Sequence, residues 1–271
     1  MLKRHAVALE DVGFFYDTGR WVLRSYTIQF QEGAITALLG PNGRGKTTLL
    51  KLIIGALKPK VGSIGVLSDV AYVPQAFDTA FGFTALEMVV MGCARKIGLL
   101  SQPAREDLER SQEALGRFGL ADFAQRPFHE MSGGQRQLVL LARALVAEAP
   151  IIVLDEPTSA LDLRNQSFVL EWLTRLSRED GLTVIFTTHH AGHALSVADD
   201  ALLMLGEAEY AFGPASAVLT EQRLSDLYEM PIKRIRVDHE NGQFDTIVPV
   251  IPRGARHGSV FEEHSDTAVR R

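Results

Sequence analysis

Apolar residues come in short blocks along the first third of the chain. Val7 to Phe15, Thr27 to Phe30 and Ile35 to Leu39 predict strands. The last is a continuous apolar run closed by glycine, the pattern of a strand covered on both faces. Lys46 to Leu57 predicts a helix that is apolar almost all round and therefore buried, with Lys58-Pro59 to close it. A weak strand is predicted at Val70 to Val73. From about Ala76 to Met131 the pattern turns helical and more polar, and Pro103-Ala-Arg-Glu-Asp is a helix start with its acids in the first turn. Strand and helix then alternate. Helix Gly134 to Ala147 precedes strand Ile151 to Leu154, helix Arg164 to Glu179 precedes strand Thr183 to Thr187, and strand Ala201 to Leu205 follows. Such alternation predicts an α/β fold, a mostly parallel sheet with a helical insertion in its middle.

Beyond about Met230 the texture changes again. Ile232 to Val237 and Phe244 to Ile251 alternate around Glu240-Asn241-Gly242, which predicts a hairpin. Arg253 to Arg271 is polar and predicts a frayed tail. The expected organisation is an α/β core of residues 1–75 and 135–230, a helical subdomain of 76–134 and an extension of 231–271.

The length of 271 residues fits one large domain or two small ones. With 46% apolar and 23% charged residues, wholesale disorder is excluded. Lys and Arg total 28 against 33 Asp and Glu, and a net charge of −5 argues against a nucleic-acid coat. A single cysteine, Cys93, allows no internal disulfide and is expected as a buried filler. The segment richest in apolar residues, Leu138 to Leu154, is broken by Arg143, Glu148 and Pro150. That falls short of the ~20 apolar residues a bilayer span needs, so the chain is not expected to cross a membrane by itself. Glu10 and Asp11 likewise interrupt any secretory apolar region.

Chemistry enters at Gly40-Pro41-Asn42-Gly43-Arg44-Gly45-Lys46-Thr47-Thr48, which matches G-x-x-x-x-G-K-[ST] between a buried strand and a buried helix. A triphosphate needs many N–H donors at close range, and glycine lets a backbone wrap that tightly. The loop feeds a helix N-terminus, which favours anions. Lys46 is then placed for the β- and γ-phosphates and the Thr47 hydroxyl for Mg²⁺. A second signal is Ile151-Ile-Val-Leu-Asp155-Glu156-Pro157, a carboxylate pair at the end of a buried strand. Asp155 can hold the metal, and Glu156 can polarise a water for attack on the γ-phosphate. A third is Met131-Ser132-Gly133-Gly134-Gln135-Arg136-Gln137, a hydroxyl and bare N–H groups opening an apolar helix.

Two phosphate cradles with a helical insertion between them resemble the ATP-binding cassette (ABC) ATPases, over roughly residues 5 to 230. The resemblance implies a phosphate-loop cassette with a mostly parallel core, an N-terminal antiparallel β element and an inserted helical subdomain. It gives Ser132, Gly133, Gly134 and Gln135 to the nucleotide of a partner copy. Gln75 corresponds to the glutamine that touches metal and attacking water, and Asp162 to the loop that contacts the other copy. His189 corresponds to the switch histidine on the γ-phosphate, and Tyr16 to the aromatic that stacks on adenine. Three positions depart from the family pattern. Arg44 replaces a small residue, Met131 a leucine, and His190 an aspartate; His190 and His193 are read as surface residues.

A cassette without spans resembles the motor of a multi-subunit bacterial importer. Phe81-Gly-Phe-Thr-Ala-Leu-Glu-Met-Val-Val-Met-Gly and Thr187-Thr188-His189 are similar to the metal-chelate branch, which takes iron-siderophore, haem, cobalamin or molybdate and tungstate. The short stretch between Gly62 and Gln75 resembles the molybdate members, and also the zinc and manganese motors. The resemblance implies a homodimer with two ATP–Mg²⁺ at its interface, the metal held by Thr47, Gln75 and Asp155. It also implies two membrane-spanning permease subunits, an indirect substrate-binding protein, no nucleic acid, and a place on the cytoplasmic face of the cell membrane. The alternatives are a zinc/manganese importer ATPase and a soluble cassette acting as a nucleotide-gated scaffold.

Overall fold

The computed structural model describes residues 4–17, 19–75, 77, 81–94, 102–239 and 242–251. The chain opens with β1 (His5–Phe15), β2 (Trp21–Gln31), β3 (Ile35–Leu39), α1 (Lys46–Ile53), β4 (Val61–Val66) and β5 (Val70–Val73). A helical stretch follows with α2 (Ala85–Val90), α3 (Arg105–Arg117) and α4 (Gly133–Val146). Alternation then resumes through β6 (Ile151–Leu154), α5 (Leu163–Arg178), β7 (Thr183–Thr187), α6 (Ala191–Val197) and β8 (Asp200–Met204). The last elements are β9 (Tyr210–Pro214), α7 (Ala215–Val218), α8 (Glu221–Tyr228), β10 (Ile232–His239) and β11 (Gly242–Pro249).

Six strands form one sheet in the order β5-β6-β7-β3-β8-β9, parallel throughout except for β9. A separate antiparallel sheet has the order β2-β1-β4. This is the expected α/β architecture, with the helical insertion between β5 and β6. The apolar runs are continuous because both faces of the large sheet are covered. Ile35, Ala37 and Leu39 of β3 and Ile152 and Leu154 of β6 pack into one core with the helices α2 to α6. The residues between them, Leu38, Ile151 and Val153, pack into a second core with α1 and the antiparallel sheet. Period-two alternation thus splits each strand between two apolar layers.

The differences from expectation have local causes. Helix α1 stops at Ile53 rather than Leu57 because Gly55 adopts φ +74°, a left-handed turn that ends a helix. Strand β2 begins at Trp21, well before Thr27; Ser25 sits at φ 57° beside a register shift that breaks the alternation. Strand β4 went unread because its Val-Gly-Ser-Ile-Gly-Val run is mostly exposed and glycine-rich. Its Gly62 stands opposite a bulge in β1, where Asp11 has φ 48°. A Cβ on Gly62, itself at φ +76°, would sit far inside contact distance of the Glu10 and Asp11 carbonyl oxygens. Gly62→Ala is therefore expected to destabilise the protein by roughly 2–3 kcal/mol, read as a lower denaturant midpoint.

The predicted C-terminal hairpin is present, with His239 opposite Gly242. Its turn residues 240 and 241 lie outside the described residues, as does the stretch Arg253 to Arg271 expected to be frayed. Cys93 is buried in the main core. Among the described residues no helix is long and apolar enough to cross a membrane.

Candidate nucleotide site

Strands β5, β6, β7 and β3 are parallel neighbours, so their carboxyl ends open on one edge of the sheet, where open α/β sheets take ligands. Gln75 follows β5, Asp155 and Glu156 follow β6, His189 follows β7, and the glycine loop follows β3. The stretches meet around a cavity of about 750 Å³, lined by Tyr16, Gly40, Asn42, Gly43, Gly45, Lys46, Thr47, Thr48, Gln75, Glu156 and His189.

The loop is shaped to hold an anion. Helix α1 has no side-chain cap and no acid in its first turn, so its leading N–H groups and positive dipole end face the cavity's loop side. Gly45 has φ +92°, and a Cβ there would lie 2.8 Å from Val22 Cγ1, so the tight approach depends on glycine. Lys46 is buried, and its ammonium donates to the carbonyls of Gly40 at 2.7 Å and Pro41 at 3.2 Å. Burial pushes its pKa down, while Glu156 and Asp155 pull it back up.

The carboxylates are held by a chain of hydroxyls. Asp155, also buried, accepts from Thr47 Oγ1 and from Thr187 Oγ1, each at 2.7 Å. Thr187 Oγ1 accepts in turn from the Glu156 N–H at 2.8 Å. Glu156 itself sits at φ 47°, a left-handed conformation that costs a non-glycine residue about 1–3 kcal/mol and is found at functional sites. Gln75 Nε2 donates to its Oε2 at 3.1 Å, and His189 Nδ1 lies 3.3 Å from the same oxygen. One carboxylate oxygen is thus fixed by residues from two other strand ends. Tyr16 is exposed at the mouth, edge-on to Phe14, with its hydroxyl 3.1 Å from Thr48 Oγ1. The Thr47 hydroxyl and the Asp155 carboxylate are adjoining hard oxygen donors, a set that fits Mg²⁺.

Ser132, Gly133, Gly134, Gln135 and Asp162 do not line this cavity. Ser132 caps α4, its hydroxyl accepting from Gln135 N–H at 3.2 Å while Gln135 Oε1 accepts from Ser132 N–H at 3.1 Å. Asp162 caps α5 by accepting from Asn165 N–H at 2.8 Å. The two caps belong together in space: a Cβ on Gly134 would lie 3.4 Å from the Ala160 carbonyl oxygen. They form a second cluster on the chain's own surface.

His190 is exposed, as read from the sequence, but His193 is not a surface residue. It is half-buried, 3.4 Å from Thr158 Oγ1, with its ring 4.7 Å from that of His190. Helix α6, which the sequence pattern did not reveal, turns it inward. Burial first, then the neighbouring His190 and His189, push its pKa down from 6.5 to about 4. The unfolded chain therefore takes up a proton near pH 6.5 that the folded chain refuses until about pH 4, and stability falls as the pH drops through that window. His193→Gln is expected to flatten this loss, seen in denaturant midpoints measured from pH 7 to 4.5. Sequence reasoning also missed Val22 and Tyr228, which line the cavity, and Thr187 as the link between the carboxylates. Tyr228 arrives from a distant helix with no motif around it.

Parallel-sheet strand ends, a phosphate loop and a paired carboxylate define the class of phosphate-loop nucleotide hydrolases. Within that class, the ABC transporter family model matches residues 23–159. The chain is 37% identical to the molybdate import ATP-binding protein MolC of Haemophilus influenzae, across 90% of this chain and 96% of that one. A solved ABC transporter described as metal-chelate type, in an inward-facing conformation, matches with 36% identity and a TM-score of 0.85, over 92% of this chain and 98% of that one. A dimeric ATP-binding cassette bound to ADP and Pi matches with 29% identity and a TM-score of 0.71, over 77% and 98%. The protein belongs to the ABC transporter family and is an ATPase of that family.

Proposed function

We propose that the chain is the ATP-hydrolysing motor of a type II importer for an oxyanion or metal chelate, with molybdate the first candidate. It works as a homodimer docked on two membrane-spanning permease subunits at the cytoplasmic face of the cell membrane. The observation that carries this reading is the end-to-end similarity to a molybdate import ATP-binding protein, 90% of one chain against 96% of the other. The inward-facing metal-chelate transporter supports the same branch.

The site's own residues account for the chemistry. Tyr16 offers a ring to the adenine, and the loop from Asn42 to Thr48 wraps the phosphates with N–H groups. Lys46 brings a positive charge to the β- and γ-phosphates. Thr47, Asp155 and Gln75 would hold Mg²⁺, which when bound neutralises charge on the phosphate oxygens. Glu156 takes a proton from the attacking water as the water's oxygen bonds to the γ-phosphorus and the bond from that phosphorus to the β–γ bridging oxygen breaks, leaving ADP and phosphate. Gln75 and His189 orient that carboxylate, and its left-handed backbone aims it into the cavity. The cluster of Ser132 to Gln135 with the Ser159–Asp162 loop supplies N–H and hydroxyl donors to the partner's nucleotide. Each copy thus completes the other's site, and ATP closes the pair because its γ-phosphate contacts both.

The test is co-purification with the permease of the same transport system, followed by binding of molybdate, iron chelates, zinc and manganese to its receptor. Molybdate-dependent stimulation of ATPase activity in the reconstituted complex is the expected result. Stimulation by nucleic acid, with no permease retained, overturns the import reading.

A further inference from the structure

Nothing in the hydrolytic site requires the last helix or the hairpin, yet the helix lines the cavity and the hairpin is tied to that helix. Tyr228 closes α8 and lines the cavity beside Glu156 and His189. Its hydroxyl donates to the His189 carbonyl at 2.9 Å, and its ring is partly buried against the main core. The residue after it, Glu229, turns sharply with φ 53° and sends the chain into the hairpin.

Helix α8 is tied to β10 at three points. Ser225 Oγ accepts from the Ile232 N–H at 2.9 Å, and Glu221 accepts from the Arg234 N–H at 2.8 Å and from Lys233 Nζ at 2.9 Å. The other strand, β11, packs against α6, which starts two residues after His189. The hairpin therefore touches the helix that directly follows the histidine loop and also the helix that hydrogen-bonds it. The His189 ring is 46% exposed, and its contact with Glu156 is 3.3 Å long. A ring so open to solvent keeps its place only as well as its backbone does.

We propose that Tyr228 is a positioning residue for ATP hydrolysis. It holds the main chain of His189 so that the ring stays against Glu156, and the C-terminal hairpin braces it through α8. This rests on the reading of Glu156 and His189 as the hydrolytic pair. It assigns the extension a task, control of turnover from outside the cassette's motifs.

The test uses the full-length chain, with rates expressed per titrated ATP-binding site so that misfolded protein is not counted. Tyr228→Phe keeps the ring and removes only the donor. It should lower kcat about fivefold, the worth of one ordinary hydrogen bond, with KM for ATP unchanged within twofold. Glu221→Ala, which loosens the brace while leaving the cavity intact, should lower kcat two- to threefold with the same KM. An unaltered kcat in Tyr228→Phe overturns the proposal, and so does a raised KM, which would make Tyr228 a nucleotide contact. His189→Ala separates the two levels. If it abolishes turnover while Tyr228→Phe is silent, only the positioning role falls; if it turns over normally, the hydrolytic reading falls with it.

Discussion

Glu156→Gln is expected to cut the steady-state ATPase rate by roughly 10²- to 10⁴-fold, the span of a positioned general base. ATP-driven pairing of two copies should survive. The substitution is nearly isosteric, and its amide oxygen can still accept from Gln75 Nε2, which donates to Oε2 in the wild type at 3.1 Å. The Thr187 bond to the residue's backbone N–H, at 2.8 Å, does not involve the side chain. Thus the left-handed turn at φ 47° persists and only basicity is lost. With the γ-phosphate uncleaved, the closed pair should accumulate, because ATP binds that state better than the open one. Sedimentation of the variant with Mg·ATP and with Mg·ADP checks both halves: a dimer with the first, a monomer with the second. Turnover near the wild-type rate would mean that another group accepts the proton.

The elements that could be read from sequence are those whose pattern is decided by burial alone. Strands β3, β5, β6 and β7 were placed at their observed ends, since three of the four are fully buried runs stopped by a polar or glycine residue. Those stops are also the chemistry. Asp155, Glu156, Gln75 and His189 all stand just beyond parallel strands, but the strand pattern pointed only to the carboxylate pair after β6, and it was the family resemblance that singled out Gln75 and His189. Strand β9 and helix α8 left no such trace, because both are short and bury little: β9 has no fully buried residue and α8 only Leu224. Tyr228 was invisible for that reason: it enters the cavity through tertiary packing of a short helix with no motif around it. Thr187 was hidden differently. It reads as one more strand residue, and only the fold shows its hydroxyl bridging Asp155 and the Glu156 backbone. Ser132 and Asp162 illustrate a limit of another kind. In one chain they act as helix caps, bonded to Gln135 and Asn165, and any further duty toward a nucleotide depends on a second copy.

Lys46→Ala should fail a step earlier than Glu156→Gln, at ATP binding itself. The Lys46 ammonium is buried and fixed by the Gly40 and Pro41 carbonyls, and in the proposed mechanism it meets the phosphates from that place. Hydrogen bonds to a charged group are worth about 1.5–3 kcal/mol each, so losing it should raise the Kd for ATP by roughly 10- to 100-fold. The same substitution leaves the Gly40 and Pro41 carbonyls without their donor, which loosens the loop before any nucleotide arrives. In the proposed mechanism bound ATP draws the two copies together, so pairing should then fail too. Calorimetric titration with Mg·ATP, run beside sedimentation, distinguishes the two variants: Glu156→Gln binds and pairs, whereas Lys46→Ala does neither at moderate ATP. A Kd within threefold of wild type for Lys46→Ala would show that the backbone N–H groups alone hold the phosphates.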